Sequence, residues 1–255
     1  MTDNNTKHLL SIVMPVYNEA MHLKIILERI MAVKLPPNVD KEIIVVDDGS
    51  IDNTAEILKE FTYKKMIIAH DLILNCGKGT AVGMGLKKAN GDIIIVQDGD
   101  LEYDPNDYPK IIKPILDGET DVVYGSRFLG SIKQMKFVNK MGSTTLNILV
   151  SILYRRKITD QFTGYKAFRA PLLRDLNLRA RGFEFCSEVT NKLLKKGIPI
   201  KEVPINYNGR TFEEGKKGGS WKDFFIALFY ILDYKFLIKK VSDISSFCGN
   251  IILSV

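Results

Sequence analysis

Asp98-Gly99-Asp100 places two carboxylates at i and i+2 directly after the apolar run Asp92 to Gln97, and Glu102 continues the alternation. Side chains two apart on an extended segment point the same way, so Asp98 and Asp100 can share a divalent cation. Donors that are all oxygen select a hard ion, Mg2+ or Mn2+, held jointly with substrate phosphates. The competing explanation is a pair of turn-forming or helix-capping acids. Asp47-Asp48-Gly49-Ser50 follows another apolar run and has the same two explanations: carboxylates for ribose hydroxyls or a base N–H, or a tight turn. Gly77-Lys78-Gly79-Thr80 precedes a helical pattern and could bring backbone N–H groups and the Lys78 ammonium to an anion. It lacks P-loop spacing, and Gly77, Gly79 and Gly83 miss the dinucleotide spacing by one residue. His8, His22 and His70 adjoin no nucleophile motif, and neither Gly-x-Ser-x-Gly nor His-Glu-x-x-His occurs, so oxidoreductase and triad hydrolase are poorly supported.

These residues need a scaffold, and the first half of the chain supplies one. Apolar, β-branched runs at Ser11 to Val16, Glu42 to Val46, Met66 to Ala69, Asp92 to Gln97 and Asp121 to Gly125 read as strands. Helical spacing fills the gaps: Glu19 to Met31, Ile51 to Phe61 with Asp52 as its N-cap, Thr80 to Ala89, and a helix opened by Pro105. Such alternation predicts an α/β fold, a Rossmann-like, mainly parallel sheet with helices on both faces. Ligands bind such sheets beyond the carboxyl ends of the strands, where the acidic groups and glycines fall. The second half differs. Ile132 to Lys157 holds six basic residues and no acidic one, flanking an apolar stretch from Leu146 to Leu153. That pattern fits a core helix with solvated ends or a membrane-surface helix. Gly209 to Ser220 reads as a mobile loop.

Composition bounds the partners. The 255 residues are 45% hydrophobic with a formal net charge of +6, a globular chain with a mild pull towards anions. Three dispersed cysteines, Cys76, Cys186 and Cys248, fit reduced thiols in the cytosol. Met1 to His8 is too polar for a signal peptide, and Phe224 to Leu232 covers about half the length of a spanning helix. The expected location is cytoplasmic, peripheral at the cytosolic membrane face. The basic segment has few aromatics beyond Phe137 and Tyr154, which disfavours nucleic acid.

In order along the chain, Pro15-Val16-Tyr17-Asn18-Glu19, Asp47-Asp48-Gly49-Ser50, Asp98-Gly99-Asp100 and Gly125-Ser126-Arg127 resemble the family 2 inverting glycosyltransferases. The resemblance continues through Thr163-Gly164-Tyr165-Lys166, Glu202-Val203-Pro204-Ile205 and Arg210 to Lys217. It is nearest to the dolichol-phosphate mannose synthase branch, which makes polyprenyl-phosphate sugars. It implies a GT-A fold over residues 1–240, with a nucleotide-sugar-binding half (9–130), an acceptor-binding half (131–240, loop 209–220) and a tail at 241–255. It also implies that Pro15, Tyr17 and Glu19 line the nucleoside pocket, with Asp47 or Asp48 on base or ribose. Asp98 and Asp100, with Glu102 beside them, would hold Mg2+ or Mn2+ against the donor diphosphate. Arg127 would bind the acceptor or donor phosphate, and Arg210 with Lys216 or Lys217 would clamp the donor. Transfer of a hexose from a GDP-mannose or UDP-glucose type donor to polyprenyl phosphate then needs no strong base, because the acceptor is already anionic. A glycan or other hydroxyl acceptor would need one, and Asp160 is the residue available. The other expectations are a non-catalytic nucleotide-sugar-binding subunit and, as partners, a membrane surface or a membrane-anchored subunit. The Gln-x-x-Arg-Trp motif of processive synthases is absent, since Ser220 precedes Trp221.

Overall fold

The computed structural model describes residues 6–64, 66–210 and 221–236. Seven strands form one sheet: β1 (His8–Val16), β2 (Val39–Asp47), β3 (Ile68–Asp71), β4 (Ile93–Val96), β5 (Val122–Lys133), β6 (Lys166–Arg169) and β7 (Lys201–Asn208). Their order is β3-β2-β1-β4-β6-β5-β7. All pairings are parallel except those of β6, which runs antiparallel to β4 and β5. Among the described residues eight α-helices accompany them: α1 (Ala20–Ala32), α2 (Thr54–Tyr63), α3 (Lys78–Lys88), α4 (Tyr108–Leu116), α5 (Phe137–Tyr154), α6 (Ala170–Asp175), α7 (Phe185–Lys195) and α8 (Trp221–Phe236).

The central strands are apolar throughout because both faces of the sheet are covered. One face packs on α1, α2 and α4, with Leu23, Ile26, Leu27 and Ile30 of α1 buried at helical spacing. The other packs on α3, α6 and α7 through Val82, Leu86, Leu173, Val189 and Leu193. A smaller core joins α5, α7 and α8 around Val150, Ile158, Leu194 and Ile231. The run Phe224 to Leu232 lies in α8 and is split by face. Ile231 is buried, whereas Phe225, Ile226 and Phe229 are exposed. Among the described residues no helix is long and apolar enough to cross a membrane.

Several expected boundaries shift. Asp52 does not open a helix at Ile51. The helix begins at Thr54, and Asp52 folds the approach by accepting the Thr54 N–H at 3.0 Å and the Ala20 N–H at 3.2 Å. Pro105 opens a short 3-10 turn, capped by Asp104 on the Asn106 N–H at 3.0 Å, and α4 follows it. The third strand sits two residues later than expected. The fifth strand runs on past Gly125 with a shift in register, five positions on β5 (Ser126 to Ser131) spanning two on β7 (Pro204 to Asn206). This irregular stretch carries Arg127 out of the ladder. Strands β6 and β7 were not anticipated.

Candidate active site

The carboxyl ends of β1, β2 and β4 form the floor of the site. Its first wall is the end of β1 and the turn 17–19 after it, where Pro15 and Tyr17 are half-buried and Asn18 takes the left-handed conformation with φ 49°. The turn is stitched to the segment after β2. The Asn18 N–H donates to Ser50 Oγ (2.8 Å), the Ile51 N–H to Asn18 Oδ1 (2.9 Å), and the Glu19 N–H to Thr54 Oγ1 (3.0 Å). Asp47 and Asp48, expected on base or ribose, are both engaged by protein. Asp47 accepts the N–H and hydroxyl of Ser50 at 3.0 and 2.5 Å, and its burial pushes its carboxyl above the usual range. Asp48 accepts the N–H groups of Cys76 and Gly77 at 2.7 and 2.8 Å. Both carboxylates thus hold the loops around the pocket.

In the Gly77-Lys78-Gly79-Thr80 segment two of the N–H groups are engaged by protein. The Gly77 N–H goes to Asp48, and the Thr80 N–H donates to the Arg181 carbonyl at 3.0 Å. Gly77 has φ 93°, and a Cβ there would lie 2.5 Å from that same carbonyl, so only glycine lets the two loops touch. The close approach aims Lys78 into the site, where its ammonium pairs with Asp98. Burial opposes the Lys78 charge most strongly, but the surrounding negative groups, Asp98 first among them, together hold the pKa above the ordinary value.

Asp100, Glu102 and Glu19 surround the guanidinium of Arg210, at the end of β7. Nη2 donates to Asp100 at 2.7 Å and Nη1 to Glu19 at 3.1 Å, while Nε lies 3.8 Å from Glu102 with no hydrogen-bond partner. Glu102 accepts the Arg210 N–H at 2.9 Å and the Tyr207 hydroxyl at 2.8 Å. Burial, then the like charges of Asp98 and Glu102, push the Asp100 carboxyl up to about 7 against the pull of Arg210. Among the described residues no group of three or more His, Cys, Asp or Glu is arranged as a finished metal cage. Mg2+ and Mn2+ need none, since one or two carboxylates and substrate phosphates suffice. The all-oxygen pair Asp98 and Asp100 fits that requirement, and the unsatisfied Nε marks the present occupant as an imperfect fit.

Arg127 and Asp160 were read separately, as a phosphate ligand and as a base. The structure makes them a pair. Arg127 Nε and Nη2 donate to the two Asp160 oxygens at 2.7 and 2.8 Å, and the Arg127 N–H adds a third bond at 3.0 Å. Asp160 is wholly buried and Arg127 is 8% exposed. Burial opposes the Arg127 charge most strongly, but Asp160 together with Tyr103 and Tyr207 raises the pKa above the ordinary value. Enclosed this way, Asp160 is the counter-ion of Arg127 in this structure. Glu202, a half-buried acid whose pKa burial raises, braces the same segment by accepting the Thr159 and Asp160 N–H groups at 2.8 Å each. Lys216 and Lys217 lie outside the described residues.

Several positioning groups lie outside the expected site residues. Gln97, fully buried, accepts the hydroxyls of Tyr108 and Tyr165 at 2.6 and 2.7 Å and donates to the Asp98 carbonyl at 2.8 Å, orienting the turn that bears the carboxylates. Tyr103 stacks on Tyr165 with centroids 4.7 Å apart, and its oxygen receives the Gly164 N–H at 2.8 Å. Gly164 presses against Asp98 so closely that a Cβ would collide with its carboxylate. Lys166 is buried under the site with its pKa lowered by burial, and donates to the carbonyls of Gln161 (2.9 Å) and Thr163.

Beyond Arg127 the surface turns apolar. A groove of about 570 Å3 runs between α5 and the 155–159 loop, lined by Phe128, Ile148, Ile152 and Ile158 and rimmed by Arg155, Arg156 and Lys157. The Phe128 ring lies 5.9 Å from the Arg127 guanidinium, so one residue touches both the groove and the buried cation.

The site is thus a carboxylate pair after a central strand of a mainly parallel sheet, with cations converging on it. The sequence matches the Glycosyl transferase family 2 domain over residues 11–176, and the chain belongs to that family. It is 33% identical over 219 residues to the UDP-N-acetylglucosamine–dolichyl-phosphate N-acetylglucosaminyltransferase of Methanococcus voltae, a match covering 77% of this chain and 84% of that one. It is 30% identical over 213 residues to the dolichol-phosphate mannosyltransferase of Pyrococcus furiosus, covering 82% of this chain and 59% of that one. In fold it is similar to glucosyl-3-phosphoglycerate synthase from Mycobacterium tuberculosis, solved with Mn2+, uridine diphosphate and glucosyl-3-phosphoglycerate. That likeness has a TM-score of 0.67 at 20% identity and covers 92% of this chain and 82% of that one. These family and polyprenyl-phosphate relatives make the chain an enzyme, a glycosyltransferase of that branch.

Proposed function

We propose that the enzyme transfers a hexose, with inversion, from a nucleotide diphosphate sugar to a polyprenyl phosphate at a membrane surface. The observation that carries the lipid acceptor is the apolar, basic-rimmed groove whose lining includes Phe128, the neighbour of Arg127. Isoprene units suit its lining, and Arg155, Arg156 and Lys157 suit an anionic lipid surface. Sequestration of Asp160 points the same way, because a phosphate acceptor is already ionised and a hydroxyl acceptor is not. The relatives named above act on dolichyl phosphates, which agrees.

The donor would lie over the 9–130 half, its nucleoside between Pro15, Tyr17 and Glu19 and the loop that Asp47 and Asp48 hold. The 131–240 half would take the acceptor. Asp98 and Asp100, beside Glu102, would hold Mg2+ or Mn2+, whose contribution when bound is to neutralise charge growing on the leaving diphosphate. Arg210 and Lys78 sit close enough to add to that neutralisation, and it is worth most in a site shielded from water. Arg127, held rigid by Asp160, orients the acceptor phosphate from behind Phe128.

The test is a donor panel of GDP-mannose, UDP-glucose and UDP-N-acetylglucosamine with Mn2+ and a short polyprenyl phosphate, read by product mass. The expected product is the lipid phosphate heavier by one sugar. A product formed only on sugar hydroxyls would reject the lipid acceptor.

A further inference from the structure

We propose that Arg210 and a divalent cation are alternative occupants of the carboxylate site, so that the cation enters productively only as Arg210 leaves Asp100 for the donor diphosphate. This rests on the metal-site reading given above. Three carboxylates, Glu19 from the first strand end and Asp100 and Glu102 from the turn after β4, converge on one guanidinium that is 10% exposed. Asp98 is separately neutralised by Lys78. Without a metal, so many anions in one half-buried site repel one another, and the two side-chain cations are what hold them together. A divalent ion on Asp98 and Asp100 would meet both cations at contact distance, and like charges at that range exclude one another.

The geometry favours exchange over permanent pairing. Arg210 leaves its Nε–H buried without an acceptor, a cost that phosphate oxygens would remove, since guanidinium groups bind phosphate through paired N–H donors. The residue is also placed to swing. Its main-chain N–H is anchored to Glu102 at 2.9 Å, and the Asn208 N–H to the Glu102 carbonyl at 2.9 Å, so the side chain can turn without moving β7. The result is coupling in both directions. Donor diphosphate draws Arg210 away and tightens the cation, and the cation releases Arg210 to the diphosphate.

The experiment measures Mn2+ binding to the full chain without nucleotide, by the electron paramagnetic resonance signal of free Mn2+, in the wild type, Arg210→Ala, Arg210→Gln and Asp100→Asn. Circular dichroism checks that each variant is folded, and Arg210→Gln retains a side chain where Arg210→Ala leaves a gap. Both Arg210 variants should bind Mn2+ about tenfold more tightly than wild type, and should bind nucleoside diphosphate with Mn2+ about tenfold more weakly. Mn2+ binding that requires Asp100 but is unchanged or weakened in both Arg210 variants would overturn the exchange while leaving the metal site standing. Absence of Asp100-dependent Mn2+ binding from every protein, with or without nucleoside diphosphate, would overturn both.

Discussion

Arg127 and Asp160 show how a residue's role depends on its neighbours. Each alone resembles a catalytic group; together they form a buried, bidentate ion pair. Breaking one side of such a pair leaves a charge uncompensated in a poorly solvated place, a loss of about 3–5 kcal/mol. Asp160→Ala should therefore lower stability by that order in urea denaturation, and Asp160→Asn by less, since the amide keeps part of the hydrogen bonding. The kinetic signature follows from the same geometry. With polyprenyl phosphate as acceptor, Asp160→Asn should raise the acceptor KM and leave the shape of the pH–rate profile unchanged. Loss of an acid limb from that profile would restore Asp160 as a base.

At the scale of elements, α5 has two faces with different duties. Leu146 and Val150 enter the small core with α7 and α8, while Phe137, Met141, Ile148 and Ile152 remain exposed. Ile152 is 69% exposed and lines the groove, so a charge there disturbs little packing. Ile152→Glu should leave the melting temperature within a degree or two (surface changes are worth about 0.5 kcal/mol or less) and raise the KM for polyprenyl phosphate about tenfold, since a buried carboxylate repels both chain and headgroup. An unchanged acceptor KM would remove the groove from the lipid path. Elements also explain what was hard to read. Strand β6 has four residues, Lys166–Arg169, and begins with a buried lysine satisfied by two carbonyls, so no apolar run announces it. Helix α7 buries Glu188 and Asn191, which are hydrogen-bonded to the 179–180 turn and to Ser187, and so carries no clean stripe.

For the whole molecule, α5 and α8 carry exposed apolar residues beside a basic rim at 155–157, and the proposed lipid acceptor would place that face on an anionic membrane. Each basic side chain near such a surface contributes about 1 kcal/mol. Wild-type protein should float with anionic vesicles, less as salt rises, and the double variant Arg155→Glu/Arg156→Glu should bind at least about tenfold more weakly. Equal flotation on neutral vesicles would show that charge plays no part. The net charge of +6 gave the sign of the partners. Its distribution separates a carboxylate site at the strand ends from cations that close on it from β7 and α3.

The sequence by itself determined the alternating α/β half, the placing of Asp47, Asp48, Asp98 and Asp100 at strand ends, and the family. Those features are local, since apolar periodicity and short motifs are written in neighbouring residues. Only the tertiary structure decided who meets whom. Arg210 reaches Glu19 across nearly the length of the chain, Arg127 locks Asp160, and Asp48 spends its oxygens on the loop before Lys78. A buried charge takes its chemistry from the partner that neutralises it, and folding alone supplies that partner.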